Sequence, residues 1–185
     1  MKIKERRLRG VFEIVSSPHV DFRGFLARTY EQEMLKALGV DWECVEESLS
    51  HTNLVRTVRG LHVQLPPFSE GKLISIIRGK MRWVVVDLRR GSETFGQWDS
   101  VLLCDTQYNA LYVERGFAHG CLSLSDDCDL ILKADQKFAS DHGAGIIWND
   151  ATLGIDWELG NASPLISERD SNYPSFESFL KTYLG

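Results

Sequence analysis

The chain has 185 residues, of which 43% are hydrophobic and 25% are charged, and its formal net charge at neutral pH is -5. These values are typical of one globular domain and exclude a disordered or fibrous chain. The negative charge and the scattered basic residues argue against a nucleic-acid partner. Residues 1–7 lack the apolar segment of a secretory signal, and no apolar run reaches the roughly 18 residues of a membrane span, so we expect a cytoplasmic protein with no membrane partner.

Short segments rich in aliphatic and β-branched residues recur along the middle of the chain. Turn signals such as Arg78-Gly79-Lys80 and Arg90-Gly91-Ser92 separate them. This spacing predicts a mainly β fold, an antiparallel sandwich or barrel. The predicted strands are residues 11–15, 73–78, 81–88, 98–103, 110–113 and 129–133.

Two short helices are predicted to flank the β region. Residues 31–38 contain good helix formers and end before Gly39, and a second amphipathic segment follows Pro174. The apolar residues at helical spacing are Met34, Leu35 and Leu38 in the first segment, and Phe176, Phe179, Leu180 and Tyr183 in the second. No linker or repeat divides the chain, so we predict one domain over residues 1–185.

Four cysteines are present, and none of them forms a CxxC pair. This spacing argues against a zinc knuckle or a redox dithiol. We expect four reduced thiols. A disulfide between Cys121 and Cys128 is the alternative, which would require an oxidising compartment.

The most informative chemistry lies in Arg59-Gly60-Leu61-His62 and, ten residues later, Lys72. Imidazole is a base near neutral pH, and an ammonium group stabilises the oxygen of a ketone as it becomes an enolate. Lys72 opens an apolar strand, and we expect it to project inward, with His62 on the adjoining strand of the same wall. The alternatives are a structural histidine and a surface lysine.

A second histidine, His119, lies in Gly116-Phe117-Ala118-His119-Gly120 after another predicted strand. Two histidines could then share one cavity. Double-stranded β-helix proteins often bind iron or manganese through several histidines and one glutamate. Such sites usually need a His-x-His pair, whereas this chain has His62-Val63-Gln64, so we expect no metal and no cofactor.

Two arginines and one carboxylate complete the candidate site. Arg23 and Arg59 lie in glycine-containing turns next to strands, where a guanidinium fork would match a diphosphate, although both could be ordinary solvated cations. Asp170 is either a surface carboxylate or the group that orients His62. Its distance in sequence from His62 leaves both readings open.

Residues 58–170 resemble the dTDP-4-dehydrorhamnose 3,5-epimerase family. A further match to the family lies upstream, in residues 21–25. The matching segments are Asp21-Phe22-Arg23-Gly24-Phe25, Arg59-Gly60-Leu61-His62-Val63-Gln64, Lys72, Val86-Asp87-Leu88-Arg89, Thr94-Phe95-Gly96-Gln97-Trp98, Gly116-Phe117-Ala118-His119-Gly120 and Trp148-Asn149-Asp150.

The resemblance implies a cupin-type jelly-roll (double-stranded β-helix) that needs no metal and acts on nucleoside-diphosphate 4-keto-6-deoxysugars in deoxysugar and O-antigen biosynthesis. It also implies a homodimer that exchanges its N-terminal strand. His62 would be the proton acceptor, Asp170 its partner and Lys72 the group that stabilises the enolate. The implied substrate-binding residues are Arg23, Arg59, Gln64, His119, Phe138 and Arg169.

Several positions depart from the family pattern. The family's catalytic tyrosine, which delivers a proton to the opposite face of the sugar, aligns with Leu132, and leucine has no proton to donate. The tyrosine that stacks on the base aligns with Phe138, which keeps the aromatic face. Nucleotide and sugar contacts also change at Arg28, Glu47-Ser48-Leu49 and Gly143, which favours a nucleotide other than dTDP or a different sugar.

Three hypotheses follow from this pattern. The leading one is an epimerase that inverts only carbon 5 of a nucleoside-diphosphate 4-keto-6-deoxy or 4-keto-3,6-dideoxy hexose. The second is a full 3,5-epimerase in which Tyr108 or Tyr112 replaces the missing acid. The third is a non-catalytic nucleotide-sugar-binding protein, which would not need His62, Lys72 and Asp170 together.

Overall fold

The structure is a computed structural model that describes residues 1–185. A 3-10 turn, Ser140–His142, precedes the last strand, and a π-helical turn, Leu180–Leu184, ends the chain. The strands are β1 Lys2–Glu5, β2 Val11–Val15, β3 His19–Asp21, β4 Gly24–Leu26, β5 Glu46–Thr52, β6 Val58–Gln64, β7 Lys72–Arg78, β8 Lys80–Asp87, β9 Trp98–Cys104, β10 Asn109–Val113, β11 Phe117–Ser123, β12 Cys128–Ala134 and β13 Gly143–Gly145. The helices are α1 Gln32–Lys36, α2 Glu168–Ser171 and α3 Phe176–Phe179.

Two antiparallel sheets face each other. The six-stranded sheet has the order β1-β2-β10-β7-β12-β5, and the five-stranded sheet has the order β13-β6-β11-β8-β9. Apolar side chains of β7, β10 and β12 meet those of β8, β9 and β11 in the largest core cluster. The predicted cupin-type jelly-roll is therefore confirmed. β3 and β4 form a separate hairpin, and β1 pairs with β2 of its own chain.

The five-stranded sheet is buried on both faces, which explains the unbroken apolar run in β8. Trp83 and Val85 point into the core between the sheets, whereas Val84 and Val86 point to the other face. There the C-terminal third of the chain covers them, including α3 with Phe176 and Phe179. Strands with two buried faces lose the usual alternation of apolar and polar residues.

A third cluster covers the outer face of the six-stranded sheet. Leu35 of α1 and Trp42 pack there against side chains of β2, β7 and β10. The predicted N-terminal helix is confirmed. It ends before Gly39, whose φ of +76° is a left-handed conformation that favours glycine.

β6 and β11 carry the signature histidines. His62 was expected on a strand, and it lies on one, but neither segment was among the strands predicted by residue range. Their glycines hide the β pattern, yet the structure requires them: a Cβ at Gly60 would lie 2.4 Å from the carbonyl oxygen of His119. Gly60 also has a φ of +106°. The close approach of the two strands therefore depends on a residue without a side chain.

The expectation that His62 and Lys72 share one wall is wrong. β6 pairs with β11 and β13 in the five-stranded sheet, while β7 pairs with β10 and β12 in the other. The connection between them contains Pro66 and Pro67, which lack the N–H needed to continue a strand ladder. The two residues therefore lie on different sheets.

Candidate active site

A cavity of about 610 Å³ lies between the two sheets. The predicted residues that line it are His62, Gln64, Lys72, Phe138 and Arg169. β6 supplies one wall, and β5, β7 and β12 supply the facing wall. Side chains far apart in the sequence thus meet at one opening.

His62 is held by Asp170. The Nε2 atom of His62 lies 2.9 Å from Oδ1 of Asp170, whose other oxygen accepts the Gly60 N–H at 2.9 Å. α2 places Asp170 here, and the Ser167 hydroxyl caps that helix by accepting the Asp170 N–H. The carboxylate is only 3% exposed.

The electrostatics of this pair assign the imidazole tautomer. Burial opposes ionisation of Asp170, but hydrogen bonds from His62, Gly60 and Arg169 outweigh it and lower the pKa to about 2. An ionised carboxylate only accepts hydrogen bonds, so we assign the imidazole proton to Nε2. Nδ1 is then the basic atom, and it has no hydrogen-bond partner in the protein.

Lys72 forms an ion pair with a residue that the sequence did not indicate. Its Nζ lies 2.7 Å from Oε1 of Glu70, and both side chains are mostly buried. Glu70 also lines the cavity. The sequence could have indicated Glu70, because residues two positions apart project to the same side of an extended chain.

His119 lies opposite His62 in the β6–β11 ladder and is almost fully buried. Its Nδ1 accepts a hydrogen bond from Trp83 Nε1 at 3.4 Å, while its Nε2 has no partner. Burial and the nearby Lys72 and His62 lower the pKa of His119 well below its ordinary value. The ring is therefore neutral and presents an unused Nε2–H donor.

Arg59 and Arg169 lie around an adjoining cleft of about 430 Å³, which shares His62 with the cavity. Arg59 donates to the Thr52 hydroxyl at 3.2 Å and to the His51 carbonyl at 3.1 Å. Arg169 lies 3.4 Å from both Asp170 Oδ1 and His62 Nε2. The two guanidinium groups make this side of the site attractive to anions.

Arg23 lies outside the cavity of its own chain. It occupies the tip of the β3–β4 hairpin, is 76% exposed and pairs with Asp21 at 2.6 Å. The same hairpin exposes the apolar side chains of Val20, Phe22 and Leu26.

Gln64 and Phe138 both line the cavity, but Gln64 is hydrogen-bonded within the protein whereas the ring of Phe138 is exposed. The Gln64 amide donates to the carbonyls of Phe68 and Lys137 and accepts the Ala139 N–H, so it ties two loops together. The ring of Phe138 is 66% exposed and free to stack.

Leu132 lines the wall facing His62, where the family pattern has its tyrosine. Neither proposed substitute reaches this cavity. Tyr112 is buried against Phe12 and Trp42, and Tyr108 contacts Phe25 on the hairpin side. The reason is the β10 register, which turns Tyr112 to the outer face of the six-stranded sheet.

The phenol that does line the cavity is Tyr173, which the sequence reading missed. Its ring packs edge-on against His62 at 5.8 Å and fills a notch left by Gly145, where a Cβ would come within 2.4 Å of it. Burial raises the pKa of its hydroxyl. Tyr173 lies on the His62 side, three residues after Asp170 in sequence, and no periodicity in the sequence marks it.

Three further properties bear on the chemistry of the chain: possible metal ligands, the cysteines and the length of the helices. No group of three or more His, Cys, Asp or Glu side chains is arranged to hold a metal ion. All four cysteines are free, and burial raises the pKa of Cys121 to about 12. None of the helices has the length and apolar character needed to cross a membrane.

The fold and the site together define a class: a jelly-roll isomerase with a histidine–carboxylate pair and a lysine at one cavity. The family model of dTDP-4-dehydrorhamnose 3,5-epimerase matches residues 5–178. A Pseudomonas aeruginosa enzyme of that name is 38% identical over 178 residues, 94% of this chain and 96% of the relative. The chain belongs to the dTDP-4-dehydrorhamnose 3,5-epimerase family and is a carbohydrate epimerase.

Solved structures agree with this assignment. The Mycobacterium tuberculosis rmlC epimerase superposes with a TM-score of 0.93 at 36% identity, covering 98% of this chain and 92% of the other. ChmJ, a 3'-monoepimerase from Streptomyces bikiniensis in complex with dTDP-quinovose, superposes with a TM-score of 0.88 at 28% identity, covering 95% and 88%. The same fold is thus found in an enzyme that inverts one centre.

Proposed function

We propose that this epimerase inverts one stereocentre, carbon 5, of a nucleoside-diphosphate 4-keto-6-deoxy or 4-keto-3,6-dideoxy hexose. The observation that carries the proposal is the meeting of the His62–Asp170 pair, Lys72 and Leu132 at one cavity. His62, Asp170 and Lys72 provide the groups for proton removal. Leu132 occupies the position on the facing wall where the family pattern has an acid.

Proton removal begins at Nδ1 of His62, which takes the hydrogen from the carbon next to the ketone. Asp170 accepts the Nε2–H and stabilises the imidazolium that forms. The electron pair of the C–H bond moves to the ketone oxygen, where the Lys72 ammonium stabilises the developing charge. His119, which the resemblance placed in the substrate site, is not among the residues that line the cavity, and its unused Nε2–H is buried.

Substrate binding uses the outer part of the cavity. The ring of Phe138 stacks on the nucleotide base, and Arg59 and Arg169 hold the diphosphate from the adjoining cleft. Gln64 keeps the loops of this region in place. The dTDP-quinovose named for ChmJ supports a nucleotide sugar as the ligand class.

Inversion at one centre is supported by two observations. Leu132 cannot supply a proton to the opposite face of the sugar, and a 3'-monoepimerase with the same fold supports a single inversion, although at the other carbon. In a 3,6-dideoxy sugar carbon 3 is not a stereocentre, so carbon 5 alone would be inverted.

A homodimer is part of the proposal. Arg23 can hold a phosphate only if its hairpin reaches the cavity of a second copy, because it does not reach its own. The exposed apolar side chains of that hairpin provide the contact surface. A cytoplasmic location agrees with the four free cysteines.

A full 3,5-epimerase is the second candidate, favoured by the family name and by the presence of acidic groups other than tyrosine at the cavity. The experiment that separates the candidates is incubation of dTDP-4-keto-6-deoxyglucose, and of its CDP and GDP analogues, in deuterated water with wild-type and His62→Ala proteins. NMR then locates the deuterium.

Deuterium at carbon 5 alone, absent with His62→Ala, is the expected result. Deuterium at carbons 3 and 5 would support the second candidate. No deuterium from any of the three nucleotides would contradict both and leave the protein as a binding module.

A further inference from the structure

We propose that Glu70 returns the proton to the face of the sugar opposite His62. This inference rests on the proposed function and supplies the acid that Leu132 no longer provides. Glu70 does so from the wall that faces the base, which is where an inverting enzyme needs a second acid–base group.

The position of Glu70 is fixed by its neighbours. Gly71 donates its N–H to Asp135 at 2.7 Å, and its carbonyl accepts from Trp42 Nε1 at 3.1 Å. The backbone between Glu70 and Lys72 is therefore held on both sides. The Glu70 side chain is only 12% exposed, and its one ionic partner is Lys72 at 2.7 Å.

The other ionisable groups on this wall have other partners or more solvent. Glu46, the first residue of β5, accepts the Phe138 N–H at 3.1 Å and so is engaged by the loop that carries Phe138. Lys133 is paired with Glu47, a half-exposed residue. Tyr173 and Arg169 lie beside His62, on the same side as the base. Glu70 is thus the carboxyl group beside the ketone-binding lysine on the facing wall.

Substrate entry can change the protonation of Glu70. A ketone oxygen at Lys72 takes one of the three N–H donors of the ammonium group, and the sugar ring displaces water from the cavity. The proposal requires Glu70 to be a neutral acid in the substrate complex, and removal of water from its carboxylate by the bound sugar ring favours that form.

The proton balance then closes. His62 removes the proton from carbon 5, the electron pair moves to the ketone oxygen, and the carboxylic acid of Glu70 delivers its proton to the other face of carbon 5. The C–H bond re-forms with inverted geometry. Afterwards His62 releases its proton to solvent, and Glu70 is again the carboxylate partner of Lys72.

The test compares Glu70→Gln with wild type on dTDP-4-keto-6-deoxyglucose in deuterated water. Glutamine keeps the length and an oxygen for Lys72 but cannot donate an acidic proton. We expect deuterium to enter the recovered, uninverted substrate at a rate within about tenfold of wild type. Inversion should fall by at least about 100-fold, the usual size of a general-acid effect.

The matched control is Glu177→Gln. Glu177 forms a surface pair with Lys181 at 2.7 Å, the same length as the Glu70–Lys72 pair, far from the cavity lining. This variant should exchange and invert as wild type does. Thermal melting of both variants verifies that they are folded.

Three outcomes would count against the idea. Inversion at the wild-type rate in Glu70→Gln would show that another group supplies the proton. Loss of both exchange and inversion would assign Glu70 a positioning role through Lys72 and overturn the proposal. Absence of exchange in the wild type with the dTDP, CDP and GDP substrates alike would instead reject the proposed function itself, which the variant results alone cannot do.

Discussion

The two walls of the cavity are held in place by different interactions. The His62 wall is ordered by a chain of hydrogen bonds through Asp170 to Gly60 and to the Ser167 cap. The facing wall has an apolar Leu132 and a Lys72–Glu70 ion pair. Under the proposed function, the first wall is required for proton abstraction, whereas a change in the second wall is expected to alter the stereochemical result while the fold persists.

The structure explains why the second wall tolerates change. Leu132 pairs with Ile74 and Ser48 through backbone hydrogen bonds of β12, β7 and β5, and these bonds do not depend on its side chain. A tyrosine or a leucine can therefore occupy the position within the same ladder.

The largest effect on activity is expected when the hydrogen bonds that hold His62 are removed. Asp170→Asn removes the carboxylate that fixes the Nε2–H tautomer of His62, so deuterium exchange at carbon 5 should fall on the order of 10³-fold. The control is Asp87→Asn, since Asp87 is also buried with a pKa of about 2 but is bound by Arg89, Ser92 and Thr94 outside the cavity lining. Equal loss in both variants would indicate a folding defect rather than loss of the tautomer.

A change in the second wall should alter which sugar carbon is inverted rather than abolish epimerisation. Leu132→Tyr places a phenol opposite His62, and we expect inversion at carbon 3 to rise on the order of 10²-fold above wild type, because an acid on the facing wall controls inversion rather than exchange. NMR of the products measures both centres. Leu132→Phe is the control, since it adds the ring without the hydroxyl; a similar rise there would rule out proton donation by the phenol.

The first wall also links the site to acid stability. The pKa of Asp170 is about 2 in the folded protein against 3.8 ordinarily, so its contribution is present above pH 4 and is lost as the pH falls toward 2. The full contribution is about 2 kcal/mol, and about half of it is lost by pH 3.

Urea unfolding from pH 6 to pH 3 measures this linkage. The free energy of unfolding of Asp170→Asn should fall by about 1 kcal/mol less than that of wild type over this range. Identical pH dependence in the two proteins would contradict the assigned pKa.

The smallest effect is expected on nucleotide binding, from a change at Phe138 in the outer part of the cavity. Phe138→Ala should weaken dTDP binding about tenfold in calorimetry, because stacking on a base contributes roughly 1–3 kcal/mol. Phe138→Tyr keeps the ring and should bind within about twofold of wild type. Unchanged affinity in the alanine variant would place the base elsewhere.

Much of the fold was predictable from local patterns. The segments 73–78, 81–88 and 129–133 were identified as strands because their aliphatic runs are flanked by turn residues. In the structure β7 begins one residue earlier, β8 is shifted by one residue toward the N-terminus, and β12 is one residue longer at each end. β6 and β11 were missed because glycines and histidines interrupt the pattern. Their ladder depends on a close backbone approach that only the folded chain reveals.

The sequence by itself determined the histidine and the lysine, which lie in ordered motifs, whereas the role of Asp170 and the missing phenol at Leu132 followed from the family resemblance. Only the tertiary structure decided that His62 and Lys72 face each other from two sheets, that Arg23 and the two candidate tyrosines lie elsewhere, and that Glu70 and Tyr173 line the cavity. The physical reason is that strand pairing brings together residues distant in sequence, and no local pattern encodes which sheet a strand will join.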